Sequence, residues 1–82
     1  MDIFLDPDAG TGLAAQIYAQ IRDGILEGRL RPGDRLPPSR ELAATLGVSR
    51  HTVTTAYGRL VAEGYLDGRR GGGTVVSSLL VP

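Results

Sequence analysis

The chain has 82 residues, 41% of them hydrophobic and 22% charged, with a formal net charge of zero. That is enough for one globular domain with a small core. With no Cys it holds no disulfide or thiolate–metal framework, and no apolar run approaches the roughly 20 residues of a bilayer-spanning helix.

Residues 1–12 place three Asp, two Gly and one Pro around one apolar cluster, Ile3 to Leu5, and read as an extended arm. The arm carries no basic residue, unlike a secretory or transit leader, so the cytoplasm is the expected location. Leu13, Ile17, Ile21 and Ile25 then recur every four residues, flanked by Ala14, Tyr18 and Leu26. That period predicts a helix from Leu13 to Glu27, with Thr11 as N-cap and Gly28 just past its end. Pro32-Gly33 is a turn signal, and Arg35-Leu36 has room for a very short strand before Pro37-Pro38 stops it. Ser39 is expected to cap a second helix, Arg40 to Leu46, that buries Leu42, Ala43 and Leu46 and ends at Gly47. A helix this short needs tertiary packing to hold it. Val48 bridges to Ser49, the N-cap of a third helix running from Arg50 to Glu63 and closed by Gly64. "YLDGRRGGGTVVSS" reads as a β-hairpin, with Tyr65-Leu66 and Thr74 to Val76 as strands around Gly68, Gly71, Gly72 and Gly73.

The fold expected is mainly α with a small β-hairpin: a winged helix–turn–helix of three helices plus a two-stranded wing. "LAATLGVSRHTV" is its signature, with a Gly in the turn, an apolar Val and then a polar-faced helix. The division is an arm at 1–12, a winged helix–turn–helix domain at 13–76, and a linker or truncated end at 77–82.

The third helix carries the functional argument. On a wheel of about 100° per residue, Ala56, Tyr57, Leu60 and Val61 fall within about 80° of Val53 and form the core face. His51, Thr55, Gly58 and Ala62 lie opposite, flanked by Thr52, Thr54 and Arg59, with Arg50 in the first turn. No acid appears on this helix before Glu63. A solvated face ordinarily mixes acids and bases in i,i+4 pairs. This one uses Thr despite its modest helix propensity, and Gly58 costs roughly 1 kcal/mol relative to Ala. Short side chains without negative charge suit close approach to a phosphate-lined groove. Thr and Ser donate to phosphate or touch a thymine methyl, while Arg and His read guanine acceptors. Arg50, His51, Thr52 and Thr54 are therefore expected to face DNA.

Charge is unevenly spread. Residues 1–34 hold three Arg and six acids, a balance of −3; residues 35–82 hold six Arg and three acids, +3. The asymmetry fits one end meeting a polyanion. Every basic residue is Arg, which suits bidentate contact with phosphate or guanine; a genome rich in Arg codons gives the same count. Ordinary structural readings stand beside the functional ones. His51 also fits a surface polar residue, Ser49 a helix cap, Arg40 a partner of Glu41 or Glu63, and the glycine-rich tip a flexible loop.

The segment "LPPSRELAATLGVSRHTVTTAYGRLVAEGYLDGRRGGGTVV" resembles the winged-helix domain of GntR-family bacterial transcription regulators. "QIRDGILEGRLRPGDRLPPSREL" is similar to that family's first helix and connecting turn. The likeness covers Leu13 to Val76 and is greatest to the MocR branch, in which a PLP-dependent aminotransferase-like domain follows. It implies roles residue by residue: Arg40 on phosphate or base, and Ser49, Arg50, His51 and Thr52 opening the recognition helix, with Arg50 as base reader. Thr54 stands where many relatives carry a longer polar contact residue. Arg69, Arg70 and Gly71 belong to the wing, whose tip (Arg70 and Gly71) reaches the minor groove in the family. Gly72 and Val75 depart from the usual wing pattern of Ser between glycines and an aromatic after Thr. The resemblance also implies a homodimer on a two-fold-symmetric or repeated operator, and no cofactor within this stretch, PLP belonging to the additional domain. If Arg40, Arg50, Arg59, Arg69 and Arg70 of two protomers neutralised phosphates, log affinity would fall with log salt at a slope of about −9.

Two other classes compete. A winged helix also serves as a protein-interaction module, with the same helix face or the hairpin docking an acidic partner. Catalysis has little to work with: His51 is the only His, there is no Cys or Lys, and no Ser has a base and orienter available. "RRGGGT" lacks the Lys and the strand–loop–helix order of a phosphate loop.

Overall fold

A computed structural model describes residues 2–69 and 73–78. The elements in chain order are α1 (Leu13–Leu26), β1 (Arg35–Leu36), α2 (Ser39–Leu46), α3 (Arg50–Ala62), β2 (Leu66–Arg69) and β3 (Gly73–Val76). This is the winged helix–turn–helix that the periodicities predict. α3 is central, packed on α1, α2 and β2.

The core draws on every element. Ile17, Tyr18 and Ile21 come from α1, Leu36 from β1, Leu42 and Ala43 from α2, Val53, Ala56, Tyr57 and Leu60 from α3, and Leu66 and Val76 from the wing. Each small element reaches stability only by lending one or two side chains to this shared interior. The predicted core face of α3 is correct except at Val61, which is 42% exposed. Val61 sits at the margin of the face, and the neighbouring β2 leaves it open. Leu26, in the last turn of α1, is likewise 66% exposed, and Leu46 is half-buried.

The sheet has one strand more than the expected hairpin. β3 pairs antiparallel with β2 (Leu66 opposite Val76, Gly68 opposite Thr74) and on its other side with β1 (Arg35 opposite Val75, Leu36 opposite Thr74). The Gly33 N–H donates to the Val76 carbonyl at 2.9 Å, and the Val76 N–H to the Asp34 carbonyl at 2.8 Å. The connection after α1 is thereby stitched to the wing. The wing strands are also shifted from expectation, beginning at Leu66 and at Gly73.

Two helix starts differ from the sequence reading by one residue. The first bond of α1 runs from Gln16 N–H to the Gly12 carbonyl, so Gly12 is the N-cap and Thr11 lies outside. In α2 the Leu42 N–H donates to the Pro38 carbonyl at 3.0 Å. Pro38 therefore takes the cap position, and Ser39 is the first helical residue. The helix ends match their glycines. Gly47 has φ 70° and Gly64 φ 86°, a conformation that L side chains resist. Around Gly64 the bonds are Gly64 N–H to Val61 C=O and Tyr65 N–H to Leu60 C=O, the double closure of a Schellman motif.

The arm lies against α1. Ile3 and Leu5 pack onto the core and Phe4 between them points outward, 79% exposed. Gln20 accepts from the Phe4 N–H at 2.9 Å and donates to its carbonyl at 2.7 Å. One turn earlier, Gln16 accepts from the Asp6 N–H and donates to the Asp6 and Thr11 carbonyls, each at 2.8 Å. The two amides treat the arm as a neighbouring strand would.

Tyr57 ties α3 to the segment before α2. Its ring is buried, and its hydroxyl donates to the Pro37 carbonyl at 2.7 Å. Burial pushes its pKa from the ordinary 10.0 up to about 12. Tyr57→Phe leaves that carbonyl unpaired, and we expect a loss of about 0.5–1.5 kcal/mol in urea unfolding at neutral pH. The unfolded chain ionises its tyrosine first, so Tyr57 lowers stability as pH rises from about 10 toward 12. The Phe variant should lack that part of the alkaline loss, which melts recorded across the same window will read.

Candidate nucleic-acid interface

The amino end of α3 is set by its cap. The Ser49 hydroxyl accepts from the Thr52 N–H at 3.1 Å, and the Ser49 and Thr52 hydroxyls share a hydrogen bond at 2.8 Å. The cap satisfies one free N–H of the first turn without adding negative charge. The remaining N–H groups of that turn and the positive end of the helix dipole open toward solvent.

Behind the cap, the side chains divide as the wheel predicts except at Val61. Val53, Ala56, Tyr57 and Leu60 are buried, whereas Arg50, His51, Thr54, Thr55 and Gly58 are exposed. Thr52 is half-buried, its hydroxyl turned to Ser49. Arg50, Thr54 and Gly58 follow one another at intervals of four and form one stripe along the outer surface. A Cβ placed on Gly58 would meet nothing within 4 Å, so interior packing does not require glycine there. Thr54 turns its hydroxyl inward to donate to the His51 carbonyl at 3.0 Å.

Beside this stripe runs a groove lined by Pro38, Ser39, Arg40, Glu41, Ala44 and Arg50, between the start of α2 and the start of α3. It brings Arg40 and Arg50 together, and Arg50 Nε donates to Ser39 Oγ at 3.3 Å. Ser39, read from the sequence as a cap, is thus a neighbour of Arg50. The displacement of the helix start to Pro38 frees its hydroxyl for that contact. Arg40 forms no ion pair with Glu41 or Glu63 among the described residues.

Arg59 departs from expectation. Its guanidinium lies 3.8 Å from the centroid of the Tyr18 ring, and its Nε bonds Glu63 at 3.3 Å. The Tyr18 hydroxyl donates to the other Glu63 oxygen, and Arg22 approaches the same ring at 5.3 Å. This cation–π and ion-pair clamp joins α1 to the end of α3 and takes Arg59 out of the set of free cations. The Tyr18 hydroxyl, with Arg59 adding to it, holds the Glu63 carboxyl below its ordinary pKa of 4.5. A lowered carboxyl pKa contributes stability above the ordinary value and loses it as pH falls.

Arg69 lies at the end of β2, opposite Gly73. Arg70 and Gly71, the expected wing tip, lie outside the described residues. Among the described residues no helix is long and apolar enough to cross a membrane.

Comparison with known proteins gives this architecture its family. Residues 13–76 match the family described as bacterial regulatory proteins, gntR family. The chain is 49% identical over 77 residues to the regulatory protein MocR of Rhizobium meliloti, covering 94% of this chain and 16% of that protein. The solved structure of YtrA from Sulfolobus acidocaldarius, a GntR-family transcription factor, is 42% identical with a TM-score of 0.87. The likeness covers 95% of this chain and 82% of that one. AraR(DBD) in complex with operator ORX1 is 37% identical with a TM-score of 0.78, over 90% of this chain and 92% of that one. With a family pattern that runs from the start of α1 to the end of β3, and a close structural match to one of its transcription factors, the chain belongs to the GntR family of bacterial regulatory proteins.

Proposed function

We propose that the chain is the sequence-specific DNA-binding domain of a transcription regulator, with α3 lying in the major groove and the wing on the minor groove or the backbone. The observation that carries the reading is the two-sidedness of α3. One side is sealed into the core, and the other offers Arg50, His51, Thr54 and an unhindered Gly58 with no carboxylate among them. Such a surface is matched to a polyanion that must be approached closely. The operator complex of the related AraR domain supports it.

In this reading Arg50, held by Ser39, presents its guanidinium fork to a guanine. Arg40, across the same groove, and the Ser49–Thr52 end of the helix take phosphates. His51 borders the base edges, and Arg69, Arg70 and Gly71 extend the contact along the wing. Two copies on a two-fold-symmetric or repeated operator would place two such helices in successive major grooves. The domain acts in the cytoplasm by binding and not by catalysis, and needs no cofactor for that role.

Selection from a random duplex pool tests this directly and should return a consensus, symmetric if two copies bind. Arg50→Ala should cost about 1–3 kcal/mol on the selected duplex and relax the preference at one guanine. Equal affinity of wild type for selected and random duplexes would refute the assignment. With Arg59 engaged by Tyr18 and Glu63 and Arg50 on a guanine, three arginines per protomer remain for phosphates, and a dimer should show a salt slope of about −5, shallower than the −9 expected with all five on phosphates. Gly58→Ala should raise thermal stability by roughly 0.5–1 kcal/mol while weakening DNA binding, a pairing that melting curves and shift assays will read together.

A further inference from the structure

We propose that Thr54 is a specificity-determining residue that recognises the 5-methyl group of a thymine, close to the base read by Arg50. The inference rests on the DNA-reading assignment of α3 and adds the chemistry of one position to it. Thr54 is exposed and sits one helical turn beyond Arg50 on the same stripe, with the side-chain-free Gly58 one turn further on. A threonine carries two groups on its β-carbon, a hydroxyl and a methyl. Here the hydroxyl proton is committed to the His51 carbonyl at 3.0 Å, the back-bonded arrangement open to Thr within a helix. The hydroxyl keeps only its acceptor lone pairs for a partner, and the methyl is the branch with no bond inside the protein. The hydroxyls of Ser49 and Thr52 share one bond at 2.8 Å, which leaves one proton between them, and both residues lie off the Arg50–Thr54–Gly58 stripe. Polar reading along the stripe is therefore left to Arg50, and Thr54 adds an apolar contact beside it. In the major groove the complementary apolar group is the thymine methyl.

Uracil differs from thymine by that methyl alone, which makes the test specific. Each thymine of a duplex selected by the wild-type chain is replaced in turn by uracil, and affinities are measured for wild type, Thr54→Ser and Thr54→Val. Serine keeps the hydroxyl and loses the methyl; valine does the reverse. Both variants should melt near wild type, because position 54 is exposed. The expected result is a loss of about fourfold for wild type at one thymine per half-site, the worth of one buried methyl group. That thymine should lie near the guanine whose preference Arg50→Ala relaxes. Thr54→Ser should bind thymine and uracil duplexes alike, and Thr54→Val should keep the preference. If valine loses the preference along with serine, the hydroxyl is the reader and the proposal is wrong. If wild type is indifferent to every replacement, or serine retains the discrimination, the methyl of Thr54 reads nothing, while reading by Arg50 stands so long as the selected duplex outcompetes random DNA. If no duplex outcompetes random DNA, the parent assignment falls and this one with it.

Discussion

The constraint on which this fold depends is that α3 must be held firmly on one side and left bare on the other. A core this small has no layer to spare, so every element sends a residue to the same place: Ile17 and Ile21 from α1, Leu36 from β1, Leu42 from α2, Leu66 and Val76 from the sheet. They share one cluster with Val53, Ala56, Tyr57 and Leu60, and α1, α2 and β2 pack directly on α3. The fixed orientation of α3 follows from that convergence and not from its own helix propensity, which Gly58 and three Thr residues weaken. Tyr57 adds a polar fastening from the same face, through its bond to Pro37.

The polar side chains of the domain divide between those consumed inside the protein and those left available. Ser49 and Thr52 close the start of α3 on each other, and Thr54 folds its hydroxyl back on the helix. Arg59 is held by Tyr18 and Glu63, and Arg22 by Asp23. What stays outward-facing around the α2–α3 groove is Arg40, Arg50 and His51. Arg40 and Arg50 form no ion pair among the described residues, and they share that groove with Glu41.

Much of this was legible in the residues, for a physical reason: caps and helix ends are local. Ser49 is separated from Thr52 by two residues, and Gly47 and Gly64 answer to the backbone angles at their own positions. The errors of one residue, at Thr11 and Ser39, arose where two neighbouring residues could each begin a helix and only the first i to i−4 bond decides. Long-range facts were less accessible. Arg35-Leu36 is visible as a strand-like pair, but its partner is Thr74-Val75 at the far end of the chain. Val61 and Leu26 satisfy the apolar period, yet their burial depends on what a neighbouring element covers. Arg59 looked free because Tyr18, which takes it, sits on another helix. The grip of Gln16 and Gln20 on the arm left no mark in composition or period.

That grip has a consequence for how the leading segment can vary. The two glutamine amides bond only main-chain N–H and C=O groups of residues 4 and 6, together with the Thr11 carbonyl. They are indifferent to the side chains that those residues carry. The path of the first dozen residues is thus specified by amides on α1 and by the anchors Ile3 and Leu5. The outward position held by Phe4 is open to nearly any replacement but proline, whose missing N–H would undo one half of the Gln20 contact.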